Sequence, residues 1–109
     1  MPNNVEKIIN AFIKKVKEIL GDRVKKIVLY GSYARGDFNK NSDVDIMILT
    51  DLNEKEIEEY RDKISDIAFE IQLEKEIYIS PIIKNIDKYN ERINIIPFYM
   101  NVQKEGVEL

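Results

Sequence analysis

The chain has 109 residues, 17 Lys and Arg against 20 Asp and Glu, a net charge of −3, and no Cys, His or Trp. That length suits one domain, 1–109, and the missing residues exclude disulfides, thiolate nucleophiles, imidazole bases and Cys- or His-ligated metals. Any catalysis must rest on carboxylates, hydroxyls, Lys, Arg and backbone groups, a donor set that suits hard, oxygen-ligated cations.

The first predicted element is a helix. Val5, Ile8, Ile9, Phe12, Ile13, Val16, Ile19 and Leu20 recur at three- and four-residue spacing and line one face. Asn3 followed by Glu6 predicts a capping box at its start, and Gly21 a stop. Arg23 to Tyr30 reads as a strand whose end, Ile27-Val28-Leu29-Tyr30, is apolar on both faces, as in a covered central strand. After Gly31-Ser32, the residues from Tyr33 to Gly36 suit one short helical turn, and Asp37 to Ser42 a loop.

Asp43 to Thr50 is a second predicted strand, polar only at its start. Asn53 to about Leu73 is a second long helix, with Ile57, Tyr60, Ile64, Ile67, Ala68 and Ile71 on one face. Ile77 to Ile83 is a third strand, and Pro81 inside it favours a sheet edge or a bulge. A short helix is expected over Asn85 to Ile93, and another from Pro97 to near Gly106. This order gives an α/β (α+β) fold, a small mixed sheet of three or more strands flanked by helices. No apolar run approaches the ~18 residues of a membrane span, and Met1-Pro2-Asn3-Asn4 does not begin a secretory signal. The expectation is a cytoplasmic protein with no membrane segment, and the acidic balance carries no strong nucleic-acid signal.

Two features point to chemistry. Asp43 and Asp45 open an otherwise apolar strand, and residues two apart on a strand share a face, roughly 6.5–7 Å apart. Two carboxylates so placed repel each other and lose hydration, and a shared cation removes both costs. The alternative is that Asp43 ends a turn and Asp45 sits at a solvated edge. Upstream, Gly31-Ser32 ends a strand and Gly36 follows. Such a turn aims N–H groups at one anion, with the Ser32 hydroxyl and Arg35 as further donors. On adjoining strands these devices together match what a metal–nucleotide complex needs.

Gly31-Ser32, the ten residues Tyr33 to Ser42, then Asp43-Val44-Asp45 resemble the signature of the DNA polymerase beta-like nucleotidyltransferase superfamily. The Ala34-Arg35-Gly36 and Ser42-Asp43-Val44-Asp45-Ile46 details resemble its minimal nucleotidyltransferase (MNT) group. The resemblance implies a polymerase beta-like fold and two Mg²⁺ ions (or Mn²⁺) held by Asp43 and Asp45. It implies that Gly31 and Ser32 bind the distal phosphates of ATP or another NTP, with Arg35 nearby. It also implies transfer of AMP to a hydroxyl, as in antitoxins that modify a Tyr of a HEPN-domain toxin.

One departure is visible. The family's third carboxylate falls on the strand after the long helix, where this chain has Tyr78 and Ser80. Glu76, on the same face at the expected strand start, is the candidate substitute; its alternative is a solvated junction residue. A weakened transferase that serves as a binding module is therefore the second reading. A small-molecule transferase is the third, with the missing acceptor half supplied by a homodimer or a partner.

Overall fold

The computed structural model describes residues 1–109. Helix α1 (Asn3–Leu20) leads through a 3-10 turn at Gly21–Arg23 into strand β1 (Val24–Tyr30) and the short helix α2 (Ser32–Arg35). Strand β2 (Val44–Thr50), helix α3 (Glu54–Lys75) and strand β3 (Ile79–Asn85) follow. Helices α4 (Ile86–Arg92) and α5 (Pro97–Glu105) and a two-residue strand β4 (Val107–Glu108) complete the order.

The strands form one sheet in the order β3-β2-β1-β4. The β1–β2 and β1–β4 pairs are antiparallel, and β2–β3 is parallel, with α3 as the crossover. Alternation along the strands divides their side chains between two cores. Ile27, Leu29, Val44, Ile46, Ile48, Ile79 and Ile83 meet the apolar faces of α1 and α3. On the other face Val28, Met47 and Leu49 meet Tyr89, Tyr99 and Val102 from α4 and α5. Both faces of β1 and β2 are covered, which is why their central stretches are continuously apolar.

Pro81 lies on β3, at the sheet edge, where a missing N–H costs no ladder bond on the open side. Pro97 is the first residue of α5, as its fixed φ suits.

Several boundaries differ from the sequence expectation. The capping box predicted at Asn3 and Glu6 does not form: Asn3 is already helical, Pro2 is the N-cap, and no side chain caps it. The chain's capping box is at α3, where Asn53 accepts from the Glu56 N–H at 2.9 Å and the Glu56 side chain accepts from the Asn53 N–H at 3.1 Å. Helix α3 runs two residues past Leu73, and β3 starts at Ile79 rather than Ile77. Glu76 ends α3 with φ 57°, the left-handed conformation that turns the chain back toward the sheet. Strand β4 was not expected; its short pairing continues in the Leu109 N–H bond to the Ile27 carbonyl at 2.8 Å.

Candidate active site

The carboxyl-terminal end of β1 and the start of β2 lie side by side, because the strands are antiparallel and Tyr30 is registered with Asp45. The Gly31-Ser32 turn that leaves β1 therefore sits beside the carboxylates that open β2. Asp43 is exposed just before β2, and Asp45, half-buried, is its second residue. Asp45 follows the alternation of Met47 and Leu49, so it shares the sheet face of α4 and α5.

Gly31 has φ 75°, and a Cβ built on it would run into the Asp45 carboxylate. The glycine thus does two things at once: it makes the turn and leaves room for Asp45 against the backbone. Helix α2 starts immediately after it, with the N–H groups of Ala34 and Arg35 both returning to the Gly31 carbonyl, at 3.1 and 3.0 Å. Gly31 and Ser32 are thereby fixed next to the acid pair.

Electrostatics mark the same spot. Burial, and then the neighbouring Asp43 charge, push the Asp45 carboxyl above the usual aspartate range, while Arg35 opposes the shift. Burial and the Asp45 charge push the Tyr30 phenol up to about 12. An acid pair short of counter-charge, made only of hard oxygen donors, fits a divalent cation. The resident metal of this fold would be held by Asp43 and Asp45. No third acidic side chain gathers with them.

The other sequence candidates are placed as follows. Arg35 is near enough to influence Asp45, but its guanidinium donates to Asp37 at 3.1 Å and to Glu105 of α5 at 3.2 Å. Tyr78 and Ser80 occupy the positions across from the acids, with Ser80 registered to Asp45 and the Val44 N–H donating to the Tyr78 carbonyl at 2.8 Å. Glu76 is exposed in the turn before β3, so it precedes the strand instead of opening it. It lines a cleft of about 230 Å³ with Tyr33, Lys40, Asn41, Ser42 and Tyr78. Lys40 and Asn41 are thus loop residues of that cleft.

Sequence reasoning missed the part played by α5. Phe98, Asn101, Val102 and Glu105 face Tyr30, Gly31 and Arg35 across a cleft of about 280 Å³. The three-, four- and seven-residue spacing from Phe98 puts these residues on one helix face. Arg35 and Glu105 are 70 positions apart in sequence, which hid the link.

Comparisons with known proteins bear on the family and the fold. A nucleotidyltransferase domain model matches residues 9–101. The chain is 36% identical over 103 residues to "Putative protein adenylyltransferase MJ0604" of Methanocaldococcus jannaschii, covering 94% of this chain and 95% of the relative. It is 39% identical over 102 residues to "Putative protein adenylyltransferase MJ0141" of the same organism, with the same coverage of each. Among solved structures, a toxin–antitoxin complex crystallised with AMP-PNP matches at a TM-score of 0.53 and 18% identity, covering 90% of this chain and 69% of that one. A tyrosine-to-alanine mutant of the toxin–antitoxin pair MntA–HpeT matches at 0.51 and 17% identity, covering 92% and 70%. At that identity the structures speak for the fold alone. The sequence matches carry further: the chain belongs to the nucleotidyltransferase domain family, in its minimal form, and is a transferase.

Proposed function

We propose that the chain is a protein adenylyltransferase that moves AMP from ATP to a tyrosine hydroxyl of a HEPN-domain toxin, acting as its antitoxin in the cytoplasm. The observation that carries the reading is the packing of the Asp45 carboxylate against Gly31, which joins the acid pair to the phosphate-binding turn. The names of the curated relatives support protein adenylylation, and the structural neighbours support a toxin–antitoxin setting.

In this reading Asp43 and Asp45 hold the divalent ions, and Gly31 and Ser32 take the distal phosphates through backbone N–H and hydroxyl groups. Bound Mg²⁺ would neutralise the triphosphate and polarise the α-phosphorus. The protein's own part is positioning: the antiparallel register fixes the turn relative to the carboxylates before nucleotide arrives. Arg35, when released from Glu105, reaches toward the same phosphates, and the sheet face beside Asp45 and Ser80 admits the acceptor hydroxyl.

The two-acid cluster favours a second reading, a nucleotidyltransferase fold that neutralises its partner by binding alone. Incubation with α-labelled ATP, Mg²⁺ and the product of the adjacent gene separates the two. Label on a partner tyrosine supports the transferase; tight partner binding with no label supports the module.

A further inference from the structure

The chain carries six tyrosines, and their burial separates one from the rest. Tyr89 and Tyr99 are core residues, and Tyr30, Tyr33 and Tyr60 are half-buried. Tyr78 alone is exposed, at 56%. It lies where β3 is about to begin, and its carbonyl already accepts the Val44 N–H. Tyr78 is thus the neighbour of Asp43 across a strand spacing of ~4.8 Å. Ile79, the next residue, points into the core of α1 and α3. Alternation therefore turns Tyr78 toward the face that carries Asp45. A tyrosine side chain is longer than that of an aspartate, so from that face a phenol can extend past the carboxylates. Glu76 and Tyr78 line one cleft together.

We propose that Tyr78 is a self-modification site, adenylylated by the chain's own nucleotidyltransferase centre when no partner hydroxyl fills the acceptor position. The proposal rests on the adenylyltransferase reading above. The Tyr78 phenolic oxygen forms a bond to the α-phosphorus of ATP. The bond from that phosphorus to the bridging oxygen breaks, and pyrophosphate leaves with the electron pair. The phenolic proton passes to the Glu76 carboxylate and from there to water. The AMP group then occupies the acceptor side of the cleft, so the modified chain is expected to transfer to a partner more slowly.

The test is incubation of the full chain alone with ATP and Mg²⁺, read by intact mass and peptide mapping, beside a parallel reaction containing the adjacent gene's product. The expected result is one added AMP on the Tyr78 peptide, absent in Tyr78→Phe and in Asp45→Asn. Tyr78→Phe should still show the nucleotide-dependent rise in thermal stability of the unsubstituted chain, which separates a lost acceptor from a lost nucleotide site. AMP on Ser42, Ser80 or any residue that persists in Tyr78→Phe would overturn the assignment. A chain left unmodified in the reaction without partner, with label on the partner in the parallel one, would overturn self-modification while the adenylyltransferase reading stands. Label on neither protein would take down both.

Discussion

Gly31→Ala is the most informative perturbation of the site's architecture. Two costs meet there. The backbone has φ 75° and ψ −155°, a conformation open essentially to glycine alone, and placing an L-residue in it costs about 1–3 kcal/mol. The added methyl also runs into the Asp45 carboxylate, which must rotate away or push the turn off β2. An overpacking term of about 1–3 kcal/mol is typical of such a clash. Together they predict a loss of about 2–6 kcal/mol in urea unfolding, with an unchanged denaturant slope. Asp45→Ala removes the colliding carboxylate, so in that background Gly31→Ala should cost only the backbone share, lower by about 1 kcal/mol or more. AMP transfer should fall further than stability does, since the acid is displaced from the turn. A Gly31→Ala cost under about 0.5 kcal/mol, or one identical in both backgrounds, would refute the claim that Gly31 is there to admit Asp45.

The raised Asp45 carboxyl predicts a pH signature. A carboxyl with a raised folded pKa is bound more readily by protons in the folded state, so its ionisation destabilises the fold as pH rises through that value. Asp45→Asn should therefore be more stable than the unsubstituted chain near neutral pH, with the gap closing as pH falls from the raised value toward the usual aspartate range. Urea titrations at several pH values check this. Asn53→Ala should cost about 1 kcal/mol through the lost cap of α3, whereas Asn3→Ala should cost close to none, because Asn3 caps nothing. Glu76→Gly should gain about 0.5–1 kcal/mol by relieving a left-handed non-glycine residue, measured by the same denaturation.

Much of this architecture was legible because it depends on local pattern. The spacing from Val5 to Leu20 identified the buried face of α1, and of the edge or bulge that Pro81 suggested the sheet shows the edge. The Gly31-Ser32 and Asp43-Asp45 spacing anticipated that the turn and the carboxylates lie together, since ten residues are enough for a turn to fold beside the next strand. What sequence could not supply was set by distant partners. The fit of Gly31 to Asp45 depends on β1–β2 register. The Arg35–Glu105 pair needs α5 folded over the end of β1. Asn3-Glu6 and Asn53-Glu56 look alike in sequence, yet Pro2 starts α1 one residue early and leaves only Asn53 in the capping position. The start of β3 slipped because Glu76 turns left-handed, so Ile77 and Tyr78 are spent returning the chain to the sheet. Helical geometry divides Phe98-Tyr99-Met100, with Tyr99 buried and its neighbours exposed.

The claim at the centre of this account is that Asp43 and Asp45, set against the Gly31 turn, carry AMP transfer. The direct measurement is transfer of label from α-labelled ATP to the adjacent gene's product, with Mg²⁺, by the unsubstituted chain and by the Asp43→Asn/Asp45→Asn double variant. The account predicts labelled partner from the first and none from the second, with the double variant still folded by circular dichroism. Equal labelling by both would contradict it.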